Sequence, residues 1–346
     1  MKIGFFTINL NFADSVLEEL RAHHTVRVFQ AVLPLSKNQI LNAVNIFGLM
    51  QWCDVAYFEF TQYPLDWVSQ QQWIDKPVVA RDHGLEVAEH KRIDWRKVSA
   101  LIIQPTQYKR LKRLRRVHNQ KHPKQILPPL PKKILQRYVG VDLKSYTLDI
   151  KRKPGYNIVL HSTVLRETKG IYTALECFAE LLRRDTSIPW HFTLIGQGEG
   201  GWDWGNRKEY VMEVEELLED LHLPPKHFTH VNGNYSPEHW NSFLKTQDLY
   251  WCFSLRESFG VSLGEACARG VYPFINRFYG SDLLYPEDNL CRYPGEFIDK
   301  TMTWSALSDE EKLELRRKIR KHVEQYDQFE TAKSIRYLIE ELGPEG

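Results

Sequence analysis

Short apolar runs alternate with amphipathic stretches along most of the chain. Residues 2–7 (KIGFFT), 26–29 (VRVF), 53–58 (CDVAYF), 77–80 (PVVA) and 100–103 (ALII) read as buried strands, the fourth opening with a proline, as strands tolerate. Between the first two, residues 13–22 place Val16, Leu17 and Leu20 on one helical face. The pattern then repeats. Residues 157–162, 190–195, 228–231 and 249–253 read as strands, and Ile171–Arg184 is an amphipathic helix striped by Ala174, Leu175, Phe178, Leu181 and Leu182. A second helix is predicted around Pro237–Lys245, and the tail from Ser308 onward is helical. Strands alternating with helices predict an α/β protein with parallel, doubly wound sheets, whose ligands sit at the C-terminal strand ends. The polar stretch 147–156, with Pro154-Gly155, reads as a linker. The expected division is a first domain at 1–147, a linker at 148–156, a second domain at 157–325 and a C-terminal helix at 326–346 that packs back on the first domain.

With 346 residues, 42% hydrophobic and 26% charged, the chain has the composition of a soluble two-domain protein. No apolar run approaches the roughly 20 residues of a membrane-spanning helix, and the N-terminus reads as a strand rather than a signal peptide. The expected location is cytoplasmic. Five scattered cysteines without a C-x-x-C spacing fit reduced core positions.

The net charge is only +2 but is unevenly spread: from Trp95 to Val141 there are thirteen Lys and Arg and no acid. Lys109–Arg116 alone holds six basic residues, with Leu111, Leu114 and Val117 at helical spacing. Three readings stand for it: a solvated basic helix, docking on an anionic membrane, or contact with nucleic acid. The last ranks below the membrane because no stacking aromatics accompany the charge.

The richest stretch chemically is Ser254–Gly270 (SLRESFGVSLGEACARG), where a strand ends, a short turn follows and a helix begins at Val261. A helix N-terminus offers unsatisfied N–H groups and partial positive charge to a phosphate. Carboxylates beside it suit neutral hydroxyls instead. Glu257 and Glu265 therefore suggest a ligand carrying both phosphates and sugars. Glu257, Phe259-Gly260, Glu265-Ala266, Gly270 and Pro273 together resemble the E-x7-E signature of the retaining glycosyltransferases of family 4. Lys169-Gly170 before a helix, the strand running into His83-Gly84, and Tyr138–Asp142, which has Val139 in place of the family's asparagine, resemble the same family. The resemblance is strongest from Ile158 to Ile275 and moderate from Val78 to Asp142.

It implies a GT-B architecture of two Rossmann-like domains facing a cleft, and a nucleoside-diphosphate-sugar donor, UDP or GDP, bound by the second domain. On that likeness Lys169 neutralises the diphosphate, with Arg166 as its candidate helper. Backbone groups of Ser258, Phe259, Gly260 and Val261 face the distal phosphate. Glu257 holds hydroxyls of the donor sugar and Glu265 those of the ribose. Gly196 and Asn234 lie where the base is read, and His83 contacts the transferred sugar or its phosphate. The catalytic set so implied is His83, Lys169 and Glu257, with no metal, and the chain indeed lacks an Asp-x-Asp motif. The acceptor side is expected to take a saccharide or a lipid-linked acceptor. Two departures stand out: Ile8–Asn11 lacks the family's glycine-rich loop, and the arginine before Lys169 aligns only with a gap. A nucleotide-sugar epimerase, a nucleic-acid-directed glycosyltransferase and a catalytically inactive scaffold are the alternatives.

Overall fold

The computed structural model describes all residues except 11–12, 34, 85, 150–152, 198–207 and 345–346. Of the expected features, Asn11 and residues 150–152 of the linker lie outside the described residues.

Among the described residues the chain forms two compact units, each built on a six-stranded parallel sheet. The first unit takes Met1–Gly140 and Tyr326–Gly346, the second Val141–Gln325. The first sheet contains β1 (Lys2–Thr7), β2 (Thr25–Gln30), β3 (Val55–Phe58), β4 (Val78–Asp82), β5 (Ala100–Ile103) and β6 (Lys133–Gln136), in the order β2-β1-β3-β4-β5-β6. Its helices are α1 (Asp14–His23), α2 (Gln39–Trp52), the single turn α3 (Leu65–Val68) and α4 (Pro105–Lys121). The second sheet contains β7 (Asn157–Val164), β8 (His191–Gln197), β9 (Phe228–Val231), β10 (Leu249–Cys252), β11 (Tyr272–Asn276) and β12 (Leu290–Cys291), in the order β12-β11-β10-β7-β8-β9. Helices α5 (Ile171–Arg184), α6 (Lys208–Leu221), α7 (Pro237–Leu244), α8 (Val261–Ala268), α9 (Pro294–Ala306) and α10 (Asp309–Val323) belong to this unit, and α11 (Gln328–Leu342) to the first.

Both faces of the central strands β1, β3, β4 and β5 are buried, so these strands read as near-continuous apolar runs rather than as alternating ones. Along β1, Ile3 and Phe5 face a layer formed by Val16, Leu17 and Leu20 of α1 with Ala332, Ile335 and Ile339 of α11. Phe6 faces the opposite layer, with Ile46 and Met50 of α2 and Leu111 of α4. The C-terminal helix thus completes one face of the first unit. Its start is fixed by Asp327, whose carboxylate accepts from the Phe329 N–H at 2.8 Å.

The divide between the units falls earlier than residue 147. Val141 is buried. Asn241 Nδ2 donates to the Ser145 carbonyl at 3.1 Å, Arg269 Nη1 to that of Thr147 at 2.7 Å and Arg316 Nη2 to that of Asp149 at 3.2 Å. These bonds bind 141–149 to the second unit. Gly155, expected in the linker, likewise donates its N–H to Asp248 at 2.8 Å.

All five cysteines are buried and free. Among the described residues no helix is long and apolar enough to cross a membrane.

Candidate active site

The tips of β7 and β10, neighbours at the centre of the second sheet, carry the residues singled out for the diphosphate. After β7 the chain makes a short turn, Glu167–Lys169, and Gly170 then caps α5 at φ 63°. A side chain at Gly170 has no room: a Cβ there would sit 2.5 Å from the Phe253 carbonyl oxygen. Leu255 N–H also donates to the Thr168 carbonyl at 2.8 Å. The loops after β7 and β10 are thereby pressed together, and Lys169 Nζ meets the Glu257 carboxylate in a part-exposed ion pair. Ser254 Oγ donates to the same carboxylate oxygen at 2.8 Å.

Glu257 leads through Ser258 and the buried Phe259 to α8. The helix opens on Gly260 at φ 74° and no side chain caps it, so its first N–H groups point out of the helix without a side-chain acceptor. Gly264 has no room for a side chain: an added Cβ would come within 2.7 Å of Val141 and 3.2 Å of the Phe259 ring. Sequence reading passed over Gly264 and Ser254, since a lone glycine or serine carries no spacing signal.

Glu265 lies one helical turn or more beyond, in a different environment. Trp240 Nε1 donates to its carboxylate at 2.8 Å, Tyr146 donates as well, and burial pushes the carboxyl up to about 7. The His161 ring stacks on Trp240, centroids 4.8 Å apart. Burial, reinforced by the Lys169 charge, brings that imidazole down to about 4 and keeps it neutral. Neither Trp240 nor Tyr146 was flagged by sequence, because each is distant from Glu265 along the chain.

The remaining donor-side candidates are more peripheral. Asn234 Nδ2 donates to the Thr163 carbonyl at 3.1 Å. The Gly196 carbonyl lies 3.2 Å from His230 Nε2, and a Cβ added at this position would come within 2.7 Å of the Ser162 carbonyl oxygen and 2.8 Å of Leu165. Arg166 is half-buried immediately before the Lys169 turn.

His83 sits on the first unit, at the end of β4, and is buried. Its Nε2 lies 2.9 Å from Glu59 Oε1, which also accepts from Arg81 Nη1 at 2.9 Å. Tyr57 donates to the other Glu59 oxygen at 2.6 Å. Burial would raise the Glu59 carboxyl, but Arg81, His83 and Tyr57 outweigh it and hold the group below its usual range. Asp82 and Glu86, on either side of the His83-Gly84 turn, are buried as well. Burial and then the Glu86 charge raise Asp82 to about 7, while Thr61 donates to it at 2.6 Å. Glu59 and Arg81 escaped sequence analysis because each follows directly on an apolar run and no spacing links the two.

Of the six basic residues in Lys109–Arg116, five reach the surface wholly or in part. Arg115 does not: it is buried and donates to the Pro128 carbonyl, where burial lowers its pKa. The helical spacing turns this position inward beside Leu111.

Residues 148–337, more than half of the chain, match the family model described as glycosyl transferases group 1. The chain belongs to the group 1 glycosyltransferases. No curated protein matches it in sequence. Solved structures similar to this glycosyltransferase include sucrose-phosphate synthase from Thermosynechococcus elongatus, at 14% identity and a TM-score of 0.72, covering 99% of each chain. An α,α-trehalose-phosphate synthase (UDP-forming) from Burkholderia vietnamiensis shares 8% identity at a TM-score of 0.73, again over 99% of each chain. An E. coli structure described as trehalose-6-phosphate bound with UDP-2-fluoro glucose shares 10% identity at a TM-score of 0.71, over 100% of each chain. At these identities the likeness is one of fold: two Rossmann-like α/β domains of the GT-B type.

Proposed function

We propose that this glycosyltransferase is a retaining, metal-independent member of family 4. It moves a sugar from a nucleoside-diphosphate sugar, with UDP or GDP as carrier, to a saccharide or lipid-linked acceptor. The observation that carries the reading is the Lys169–Glu257 pair beside the side-chain-uncapped start of α8. A lysine and helix N–H groups supply positive charge where a leaving diphosphate gains negative charge, the kind of interaction that strengthens in the transition state. Arriving diphosphate exchanges places with Glu257 on Lys169 and releases that carboxylate for the hydroxyls of the donor sugar. Glu265, held by Trp240 and Tyr146, offers its remaining acceptor capacity to ribose hydroxyls. Backbone groups from Ser258 to Val261 take the distal phosphate, with Arg166 beside the lysine and Gly196 and Asn234 toward the base. His83 is assigned to the transferred sugar.

The test is incubation of the purified protein with UDP- and GDP-sugars and a panel of saccharide and polyprenyl-phosphate acceptors, the product anomer being read by proton NMR. Retention, with a rate unchanged by EDTA, is expected. An inverted product, or activity lost in EDTA and restored by Mg²⁺ or Mn²⁺, contradicts the proposal. Conversion of the donor sugar to its epimer without acceptor favours the epimerase instead.

A further inference from the structure

Helix α2 carries no charged residue over its fourteen positions. Its inner face is accounted for by Ile46 and Met50 in the core and by Asn42, which exchanges hydrogen bonds with the Val32 backbone at 2.9 and 3.0 Å. Its outer face carries an apolar stripe as well, flanked by the exposed polar Gln39, Asn45 and Gln51. Ile40 is 83% exposed, Val44 63%, Leu41 51% and Phe47 47%, and the spacing 40, 44, 47 makes one continuous stripe. Isolated exposed apolar side chains are ordinary, but a contiguous uncharged stripe marks a surface that something covers.

Helix α4 packs on the same side of the same sheet, since Leu111 joins Ile46 and Met50 in one layer. Both helices therefore lie in the layer that covers one side of the sheet, their exposed faces turned away from it. That of α4 presents Lys109, Lys112, Arg113 and Arg116, within a span of thirteen basic and no acidic residues.

We infer that this side of the first unit is a docking surface for an anionic lipid bilayer, with α2 inserting its apolar stripe between headgroups and α4 meeting their charge. The pairing of the two features selects the occupant. A second copy of the chain laid on the same face would bring two basic helices together, and like charges oppose that contact. A nucleic acid answers the basic helix but leaves Ile40, Val44 and Phe47 against water. A bilayer with anionic headgroups satisfies both. This inference stands apart from the donor reading, because vesicle binding requires neither nucleotide nor turnover.

The experiment is co-sedimentation of the full chain with vesicles of phosphatidylcholine alone or mixed with phosphatidylglycerol, at low and high salt. Wild type is expected to pellet with the mixed vesicles and not with the neutral ones, and to weaken but persist at high salt. The variant Arg113→Gln/Arg116→Gln loses about 25-fold in partitioning, about fivefold per charge. Ile40→Gln/Val44→Gln/Phe47→Gln loses about tenfold per side chain. The charge variant keeps the wild-type melting temperature, since its altered groups face solvent, and the apolar variant stays folded but melts somewhat lower through loss of the Phe47–Trp73 ring contact, centroids 5.2 Å apart. Four results overturn the proposal. One is absence of binding to the mixed vesicles. Another is undiminished binding of the apolar variant, which leaves only nonspecific charge attraction. The third is tighter binding to a duplex DNA control than to vesicles. The fourth is a concentration-dependent dimer, seen by light scattering, that the apolar variant abolishes.

Discussion

The two sheets carry charge at their strand tips in opposite ways. Past β7 and β10, Lys169 and Glu257 form a single part-exposed pair with one added hydrogen bond from Ser254. Past β3 and β4, Glu59 is wholly buried and saturated by Tyr57, Arg81 and His83. A pair that solvent reaches in part contributes less to stability than a buried one and exchanges partners more readily. A buried, fully bonded charge is costly to disturb, because removing one partner leaves the other uncompensated in a medium that solvates it poorly. The first arrangement is suited to receiving an anion. The second is suited to holding one histidine in a fixed orientation.

The sharpest way to break this contrast is to remove one member of each cluster and compare melting curves. Glu59→Ala should cost about 3–5 kcal/mol of stability by stranding Arg81. Lys169→Ala should change it by no more than about 0.5 kcal/mol. Calorimetric melting of both variants measures this. Equal losses would mean that the two clusters are alike in kind. A smaller effect is expected at the junction that presses the loops of the second sheet together. Gly170→Ala forces a left-handed residue and a Cβ against the Phe253 carbonyl, and should destabilise by about 1–3 kcal/mol. Urea unfolding reads that loss, and an unaffected variant would show that the loops have room to part.

The motif stretch was the legible part of the molecule because its residues are close in sequence. Lys169-Gly170 and Glu257 to Glu265 each announce themselves within ten positions, and α5 was delimited at Ile171–Arg184 by its apolar stripe alone. What brings Lys169 onto Glu257 is the pairing of β7 with β10, 91 residues apart at Ile158 and Leu249, which local pattern does not reveal. Helix α2 went unread for a physical reason: with apolar residues on both faces it lacks the polar alternation that marks an amphipathic helix. Strand β6 was missed because Lys133 and Gln136 interrupt a short apolar run at the sheet edge. Arg81 and Glu59 mislead in the same direction, since charged residues at the end of a strand suggest an exposed position, and their burial is explained only by the bonds that join Glu59 to Tyr57, Arg81 and His83.

A gentler effect separates Glu265 from Glu257. Burial raises the Glu265 carboxyl to about 7, against a usual 4.5. A raised folded value means that the folded state holds a proton the unfolded state releases, so this group stabilises the fold below about 4.5 and the contribution fades as pH rises through about 7. Ribose hydroxyls need the ionised acceptor. Nucleotide affinity should therefore rise severalfold between pH 6 and 8 in wild type and stay flat in Glu265→Gln. A flat wild-type profile would detach Glu265 from the ribose.

The central claim is that a nucleoside diphosphate binds at the Lys169–Glu257 pair and the start of α8. Isothermal titration of UDP and GDP into wild type and Lys169→Ala tests it without any acceptor. One nucleotide should bind wild type, and the variant, folded by its unchanged melting temperature, should bind it about tenfold or more weakly through loss of a charge-assisted contact. Equal affinity in the two proteins, or no binding of either nucleotide to wild type, would contradict the claim.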